Sequence, residues 1–331
     1  MTAALRKVRI VGTGSYAPEK RLTNAELAVM VDTTDEWITE RTGIKERRIS
    51  KDGENTSDLG AEAARRCLAD AGRKAEDVEL IVLGTSTPET VVPATSPLIQ
   101  AKIGAWNAGA VDNLAACSGF VYSLTSAWHY VASGQVKNAL VIGSEVLSKI
   151  TNYKDRGTCI IFGDAAGALF IEAHNEGTSD ILYSKLGADG RGAPHITVKA
   201  FGTGMKITPE VQAQNLDKIY MAGREVYKFA VSKFVELIAD AAKQCGVKPT
   251  EIDYIVPHQV NMRIIESAVD RLGIDRRKVY VNIDRYGNTS AASVPVAIDE
   301  AVRAGKIKRG NLVVSVAFGA GLTWGSVAIR W

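Results

Sequence analysis

Residues 57–86 read SDLGAEAARRCLADAGRKAEDVELIVLGTS, and residues 225–258 read EVYKFAVSKFVELIADAAKQCGVKPTEIDYIVPH. Each stretch starts with apolar residues at helical spacing, breaks at a glycine, Gly72 or Gly246, and continues into a short, almost wholly apolar run. The two glycines lie 174 positions apart, and so do Ile81-Val82 and Ile255-Val256. A helix followed by a strand buried on both faces, met twice at one offset, predicts a duplicated α/β chain.

A second pair of matched segments extends the repeat. Cys117 precedes Gly134-Gln135-Val136-Lys137 by 17 residues, and Asn288 precedes Gly305-Lys306-Ile307-Lys308 by the same 17. Apolar strands, NALVIG and NLVVSV, follow the two segments. This offset is 171, and on it Cys117 and Asn288 are expected at equivalent positions near the starts of equivalent helices. His258 then closes a strand whose counterpart closes at Gly84. The halves divide at residues 1–174, carrying the cysteine, and 175–331, carrying the histidine and asparagine. Strand ends and helix starts are where α/β folds place their chemistry.

Composition narrows the function classes. The 331 residues are 46% apolar and 23% charged, which fits a folded globular chain. The 40 basic and 37 acidic residues are interspersed, so no basic stripe predicts a nucleic-acid partner. No apolar run approaches the roughly 18 residues of a membrane span, and the N-terminal segment lacks the apolar core of a secretory signal, so a cytoplasmic location without membrane insertion is expected. Cys67, Cys117, Cys159 and Cys245 are widely spaced with no CxxC pair, which predicts neither a disulfide framework nor a metal site. VGTGSYAPE imitates a dinucleotide loop, but Pro18 stands where the phosphate-binding helix has to continue, so no nucleotide cofactor is expected there.

Three residues stand apart from this background. In AACSGF, Cys117 sits among small residues just before the helical segment FVYSLTSAWHYVASG. A helix N-terminus lowers a thiol pKa and favours the thiolate, so Cys117 is expected to be an activated nucleophile. In IVPHQVN, Pro257 ends a strand and hands His258 to a polar segment. In YGNTSAAS, Asn288 sits in a turn that opens a helix. A His and an Asn that each donate a hydrogen bond suit a thioester carbonyl on which negative charge develops, as in a decarboxylative condensation. The Gly-rich turn AFGAGLTWG offers the backbone N–H of Ala320, which with that of Cys117 makes a candidate oxyanion hole.

Taken together, GTGSYAPE, VDTTDEWITERTGI, AACSGF, DRGTCIIFGDAAGA, PHQVNMRII, GNTSAASVPVAIDEA and AFGAGLTWGS closely resemble the β-ketoacyl-[acyl-carrier-protein] synthase III family, over essentially the whole chain. The resemblance implies a duplicated thiolase fold: two βαβαβ-type halves in a five-layer αβαβα arrangement. It implies that Cys117 takes an acyl primer from CoA, and that His258 and Asn288 promote decarboxylation of a malonyl carrier protein and its attack on the acyl-enzyme, initiating fatty acid synthesis. No metal or resident cofactor is implied, since the CoA thioester is a substrate.

The same resemblance assigns further positions. Trp37 and Arg156 match those that hold the CoA adenine, Arg41 one that meets its phosphates, and Asn261 one beside the pantetheine arm. Arg263 and Lys228 match basic positions that meet an acidic carrier protein. Leu147, Ile161, Phe162 and Tyr227 match the lining of the primer pocket, whose floor is closed by a residue of the other subunit of a homodimer, here Val92. Where some acetyl-selective members carry Phe, Val92 leaves room for longer or branched primers. Two rival readings stay within reach of the fold. An acyltransferase or condensing enzyme of secondary metabolism would share the acyl-cysteine, although non-decarboxylating relatives often alter the Asn. A degradative thiolase would carry a second catalytic cysteine near the C-terminus, and none follows Cys245.

Overall fold

The computed structural model describes residues 5–178 and 180–331. Nine strands form its two main sheets. β1 (Lys7–Tyr16), β2 (Leu80–Gly84), β3 (Gly109–Asn113), β4 (Asn138–Val146) and β5 (Asp164–His174) make the first, in the order β1-β5-β4-β2-β3. β6 (Asp180–Ala188), β7 (Tyr254–Pro257), β8 (Leu312–Gly319) and β9 (Thr323–Arg330) make the second, in the order β7-β8-β9-β6. In the first sheet β2 runs parallel to β3 and β4, while β5 is antiparallel to β1 and β4. The second repeats this: β7 is parallel to β8, and β9 is antiparallel to β8 and β6. A single parallel bridge from Ile255 to Val279 stands beside β7 where β3 stands beside β2.

The apolar faces explain the layering. Val82, Val141 and Leu169 of the first sheet and Val256, Val313 and Val327 of the second enclose α4 (Gly119–Ala132) and α7 (Ser293–Arg303), through Phe120, Leu124, Val294 and Ile298. Outside the first sheet, Leu59, Ala63 and Cys67 of α2 (Thr56–Ala71) and Ile99 of α3 (Thr95–Ile103) cover Ile81, Leu83 and Ile142. Outside the second, Phe234, Leu237 and Ile238 of α5 (Gly223–Gln244) and Ile264 and Ile265 of α6 (Met262–Leu272) cover Val314 and Val316. These are the five layers expected of the thiolase arrangement. Truncating one of the central aromatics, such as Phe120, costs about 3–5 kcal/mol at a site this enclosed. The two glycines that break the matched helices, Gly72 and Gly246, both take the left-handed conformation, with φ of +62° and +72°.

The 174-residue offset runs further than the sequence suggests. Ala116 and Ser290, 174 apart, have φ of +46° and +48°, and α4 and α7 begin at Gly119 and Ser293, again 174 apart. α4 has 14 residues and α7 has 11, so the offset falls to 171 in the loops that follow, and the sheet registers, Val141 beside Val82 and Ser315 beside Val256, restore 174 in β4 and β8. The counterpart of Cys117 is therefore Ala291, and that of Asn288 is Leu114. This corrects the equivalence of Cys117 with Asn288, which came from counting backward across helices of unequal length.

Candidate active site

A cavity of about 340 Å³ opens between the two sheets at the starts of α4 and α7, and Cys117, His258 and Asn288 all line it. The rest of its wall is mainly apolar, including Leu147, Phe162, Val226 and Phe318. A second depression, of about 480 Å³, is lined by Ser15, Arg66, Asp70, Asp299, Glu300 and Arg303. There Arg303 pairs with Asp299 at 2.9 Å, Thr13 and Ser15 donate to the same carboxylate at 2.6 Å, and Arg66 and Glu300 pair with Glu62 and Arg285, so its charges are already partnered. Among the described residues no group of three or more His, Cys, Asp or Glu is placed to hold a metal ion.

Cys117 lies in a tight turn, Ala116–Ser118, that leads into α4. The positive φ of Ala116 is costly for a residue with a Cβ, by about 1–3 kcal/mol, and the turn is pinned to compensate. Ser118 Oγ lies 2.7 Å from both Ala115 O and Thr323 Oγ1, which ties the turn to the β8–β9 hairpin. From the other side Gly319 approaches so closely that a Cβ there would meet Cys117 N at 2.5 Å. The N–H of Cys117 and that of Ala320, the next residue, are both without a protein acceptor among the described residues, and both residues line the cavity.

The thiol is not pre-ionised. Burial pushes Cys117 up to about 12, and the Glu145 carboxylate adds to that, while the Ser290 hydroxyl and its own N–H pull the other way. The expected lowering by a helix N-terminus is therefore overturned: desolvation by the apolar wall outweighs the dipole. His258 follows β7, with its N–H donating to Val316 O at 2.8 Å. Its ring stands edge-on to Phe318 at 5.8 Å, and burial pushes it down to about 3, so it is a neutral imidazole at neutral pH. Nδ1 lies 2.7 Å from Ser293 Oγ, and Nε2 has no protein partner among the described residues. A thiol and a neutral imidazole on the wall of one cavity are thus the resting pair.

Asn288 is fixed by its backbone and by its own side chain. Its N–H donates to Ile161 O at 2.9 Å and its C=O accepts from Gly163 N at 3.0 Å, bridging it to the segment that carries Phe162. Oδ1 accepts the N–H of Ser290 at 2.8 Å, which leaves the amide nitrogen as the group free to donate.

A basic cluster begins three residues beyond His258. Asn261 caps α6, accepting from Arg263 N at 2.9 Å, and its Nδ2 donates to Arg41 O at 3.0 Å, at the end of α1 (Asp35–Thr42). Arg263 Nε donates to Glu40 O at 2.9 Å. The guanidinium groups of Arg41 and Arg156 lie over the Trp37 ring, 4.7 and 5.0 Å from its centre, and Arg156 also donates to Asp32 O at 2.8 Å. Trp37, Arg41, Arg156, Asn261 and Arg263 therefore form one continuous surface. Lys228 is exposed on α5, apart from it in the chain.

The positions matched to a primer pocket separate. Leu147 and Phe162 line the cavity. Ile161 does not; it packs with Leu22, Leu27, Ile38 and Ile283. Tyr227 is half-exposed on α5, its hydroxyl 3.1 Å from Ser267 Oγ, and the residue before it, Val226, lines the wall instead. Val92 is 83% exposed and outside the cavity of its own chain. Sequence reading passed over Ser293, Ser290 and Glu145. The first two sit inside the quoted YGNTSAAS run, and the third was visible as a lone acid in the otherwise apolar strand NALVIGSEV.

Known proteins share this fold. The family described as 3-oxoacyl-[acyl-carrier-protein (ACP)] synthase III matches residues 111–190, and its C-terminal counterpart matches residues 242–331. The chain is 51% identical to a β-ketoacyl-[acyl-carrier-protein] synthase III of Caldanaerobacter subterraneus subsp. tengcongensis, over 97% of each chain. It is 50% identical to the protein of that name from Clostridioides difficile, over 98% of each. The crystal structure of 3-oxoacyl-[acyl-carrier-protein] synthase III from Aquifex aeolicus superposes with a TM-score of 0.91 at 44% identity, covering 98% of this chain and 100% of that one. A priming β-ketosynthase of a polyketide biosynthetic pathway superposes with a TM-score of 0.90 at 33% identity, covering 98% and 97%. With half of its sequence identical to such relatives along nearly its whole length, the chain belongs to the β-ketoacyl-[acyl-carrier-protein] synthase III family.

Proposed function

We propose that this chain condenses an acyl group from acyl-CoA with malonyl-[acyl-carrier protein] to give a 3-oxoacyl-[acyl-carrier protein] and carbon dioxide, the initiating step of fatty acid synthesis. The observation that carries the reading is the meeting of Cys117, His258 and Asn288 on the wall of one largely apolar cavity. In the first half-reaction Cys117 Sγ attacks the thioester carbonyl. Its proton passes to Nε2 of the neutral His258 and then to the departing CoA thiolate, while the N–H groups of Cys117 and Ala320 receive the oxyanion. In the second, the C–CO2 bond of the malonyl group breaks, and the enolate oxygen is held by Nε2–H of His258 and the amide of Asn288. The carbanion then attacks the acyl-cysteine, and Cys117 leaves as a thiolate that takes from water the one proton the overall condensation consumes. Ser293 supports both stages, because a hydroxyl can accept from Nδ1–H or donate to Nδ1 and so stabilise either tautomer.

The CoA nucleotide docks on Trp37, Arg41 and Arg156 with Asn261 beneath the pantetheine arm, and an acidic carrier meets Arg263 and Lys228. The primer lies along Leu147 and Phe162. The chain works as a cytoplasmic homodimer of two-half protomers divided at residues 174 and 175, and Val92 of a second copy closes the primer floor. The edge strand β3 supports the dimer: Leu114 at its end and Val92 in the β2–α3 loop are 77% and 83% exposed, apolar surface of a kind that a partner copy covers. No helix among the described residues is long and apolar enough to cross a membrane. Incubating the protein with acyl-CoA and carboxyl-labelled malonyl carrier protein tests the reading. It requires release of labelled carbon dioxide in step with 3-oxoacyl carrier protein, while acyl transfer to an alcohol or amine without that release points to the sister acyltransferases.

A further inference from the structure

Glu145 is fully buried near the end of β4, behind the cavity, and no lysine, arginine or histidine among the described residues pairs with it. Its carboxylate is instead surrounded by donors. Thr87 Oγ1 donates at 2.6 Å, Ser86 Oγ at 2.8 Å, Ser86 N–H at 3.1 Å, Thr85 Oγ1 at 3.3 Å and Ala291 N–H at 3.4 Å. Burial pushes the carboxyl up, while these contacts, two backbone N–H groups among them, pull toward the ionised form, and a buried carboxylate with no cation is expensive enough to need a reason.

The duplication supplies one. Glu145 is 174 residues from Gly319, as Cys117 is from Ala291. Gly319, lacking a side chain, packs against Cys117 N and leaves that N–H open to the cavity. At the mirrored place Glu145 fills the space with its carboxylate and covers the N–H of Ala291. The same carboxylate grips the Thr85–Thr87 loop, and the Ser290 hydroxyl, 3.4 Å from Ser86 Oγ, acts on both the Glu145 carboxyl and the Cys117 thiol. Ser290 is also the residue whose N–H aims the Asn288 side chain.

We propose that Glu145 is a positioning residue of the condensing site, a buried carboxylate that ties the Thr85–Thr87 loop to the Ser290–Ala291 turn behind Cys117 and Asn288. It leaves one open oxyanion pocket where the duplicated fold would otherwise have two, and its charge opposes a thiolate at Cys117 before substrate arrives. The titratable groups facing Cys117 are Glu145 from β4 and His258 after β7. β8 and the Ser290–Ala292 turn carry none; in α4 the Tyr122 hydroxyl donates to Gly187 O, and His129 and Tyr130 of α4 and Arg330 of β9 lie toward the far ends of their elements.

The inference rests on the roles proposed above for Cys117 and Asn288, and the test separates the two. Wild-type protein that is not acylated at Cys117 by acyl-CoA refutes the roles themselves; wild-type protein that is acylated leaves Glu145 to be judged by its variants. Glu145→Gln keeps the shape and removes the charge, since its oxygen can face the two N–H groups while its amide meets hydroxyls that rotate to accept. Its Cys117 is expected to react with iodoacetamide with a pH midpoint about one unit below wild type. Glu145→Ala cuts the tie and is expected to lower the condensation rate about tenfold or more, while KM for acyl-CoA stays within about twofold. Glu145→Asp, which keeps the charge, restores the wild-type midpoint. A wild-type midpoint in Glu145→Gln, or wild-type condensation in Glu145→Ala, overturns the proposal; if the alanine variant does not fold, the glutamine variant decides alone.

Discussion

Ser293 Oγ stands 2.7 Å from His258 Nδ1, and with Nε2 unpartnered among the described residues this contact fixes how the imidazole meets the cavity. Replacing Ser293 with Ala removes one hydrogen bond to a buried ring, worth about 1–1.5 kcal/mol, so kcat for condensation should fall about tenfold with little change in KM for acyl-CoA. Steady-state kinetics checks this, and an unchanged kcat removes Ser293 from the site.

His258 also ties stability to pH. Its folded-state pKa, about 3, lies below the ordinary 6.5, so the unfolded chain takes up the proton first as pH falls. The stability held by the neutral ring is complete above about pH 6.5 and is lost progressively toward pH 3. Between neutral pH and pH 4, thermal unfolding of the wild type should lose a few kcal/mol more than that of His258→Ala, in which this group is missing. Parallel slopes for the two proteins argue against a ring this desolvated.

Gly319 has no room for a side chain, since a Cβ there meets Cys117 N at 2.5 Å. Gly319→Ala must push back the turn that carries the nucleophile, and acylation of Cys117 should drop at least about a hundredfold, as expected for a loss of alignment of this kind. Rapid-quench measurement of acyl-enzyme formation reads it directly; near-normal acylation would mean that the turn yields without cost.

Trp37 carries two guanidinium groups over one ring, those of Arg41 and Arg156. If this surface receives the CoA nucleotide, Trp37→Ala raises KM for acyl-CoA about tenfold and leaves turnover at saturation nearly unchanged, the pattern of lost uniform binding. A fall in kcat at unchanged KM would move the cluster's role elsewhere.

Val92 sets the primer range on the proposed dimer. Wild-type protein should turn over four- to eight-carbon acyl-CoAs as readily as acetyl-CoA, and Val92→Phe should shift preference toward acetyl by filling the floor. Competition between acyl-CoAs of different length measures it. Strict acetyl preference in the wild type counts against the extra volume.

The repeat was readable because helix, glycine and buried strand recur at one spacing, and the five layers follow from it. What misled was the pairing of Cys117 with Asn288: α7 is three residues shorter than α4, and no pattern in the sequence announces the length of a helix buried on most of its surface. The thiol's ionisation was misread for a related reason. A helix start can be seen in AACSGF, whereas the apolar wall that desolvates the sulfur comes from Leu147, Phe162 and Phe318, distant in the chain. Ser293 and Glu145 escaped notice because each acts through a partner, His258 or the Ser290 turn, that only the folded chain brings beside it.

The central claim is that Cys117 carries the acyl group between the two half-reactions. Intact-mass spectrometry of the protein after mixing with acyl-CoA alone tests it most directly. The account predicts a gain equal to one acyl group, mapped to the peptide containing Cys117, absent in Cys117→Ala and discharged when malonyl carrier protein is added. No mass gain in the wild type, or a gain that persists in Cys117→Ala, would contradict it.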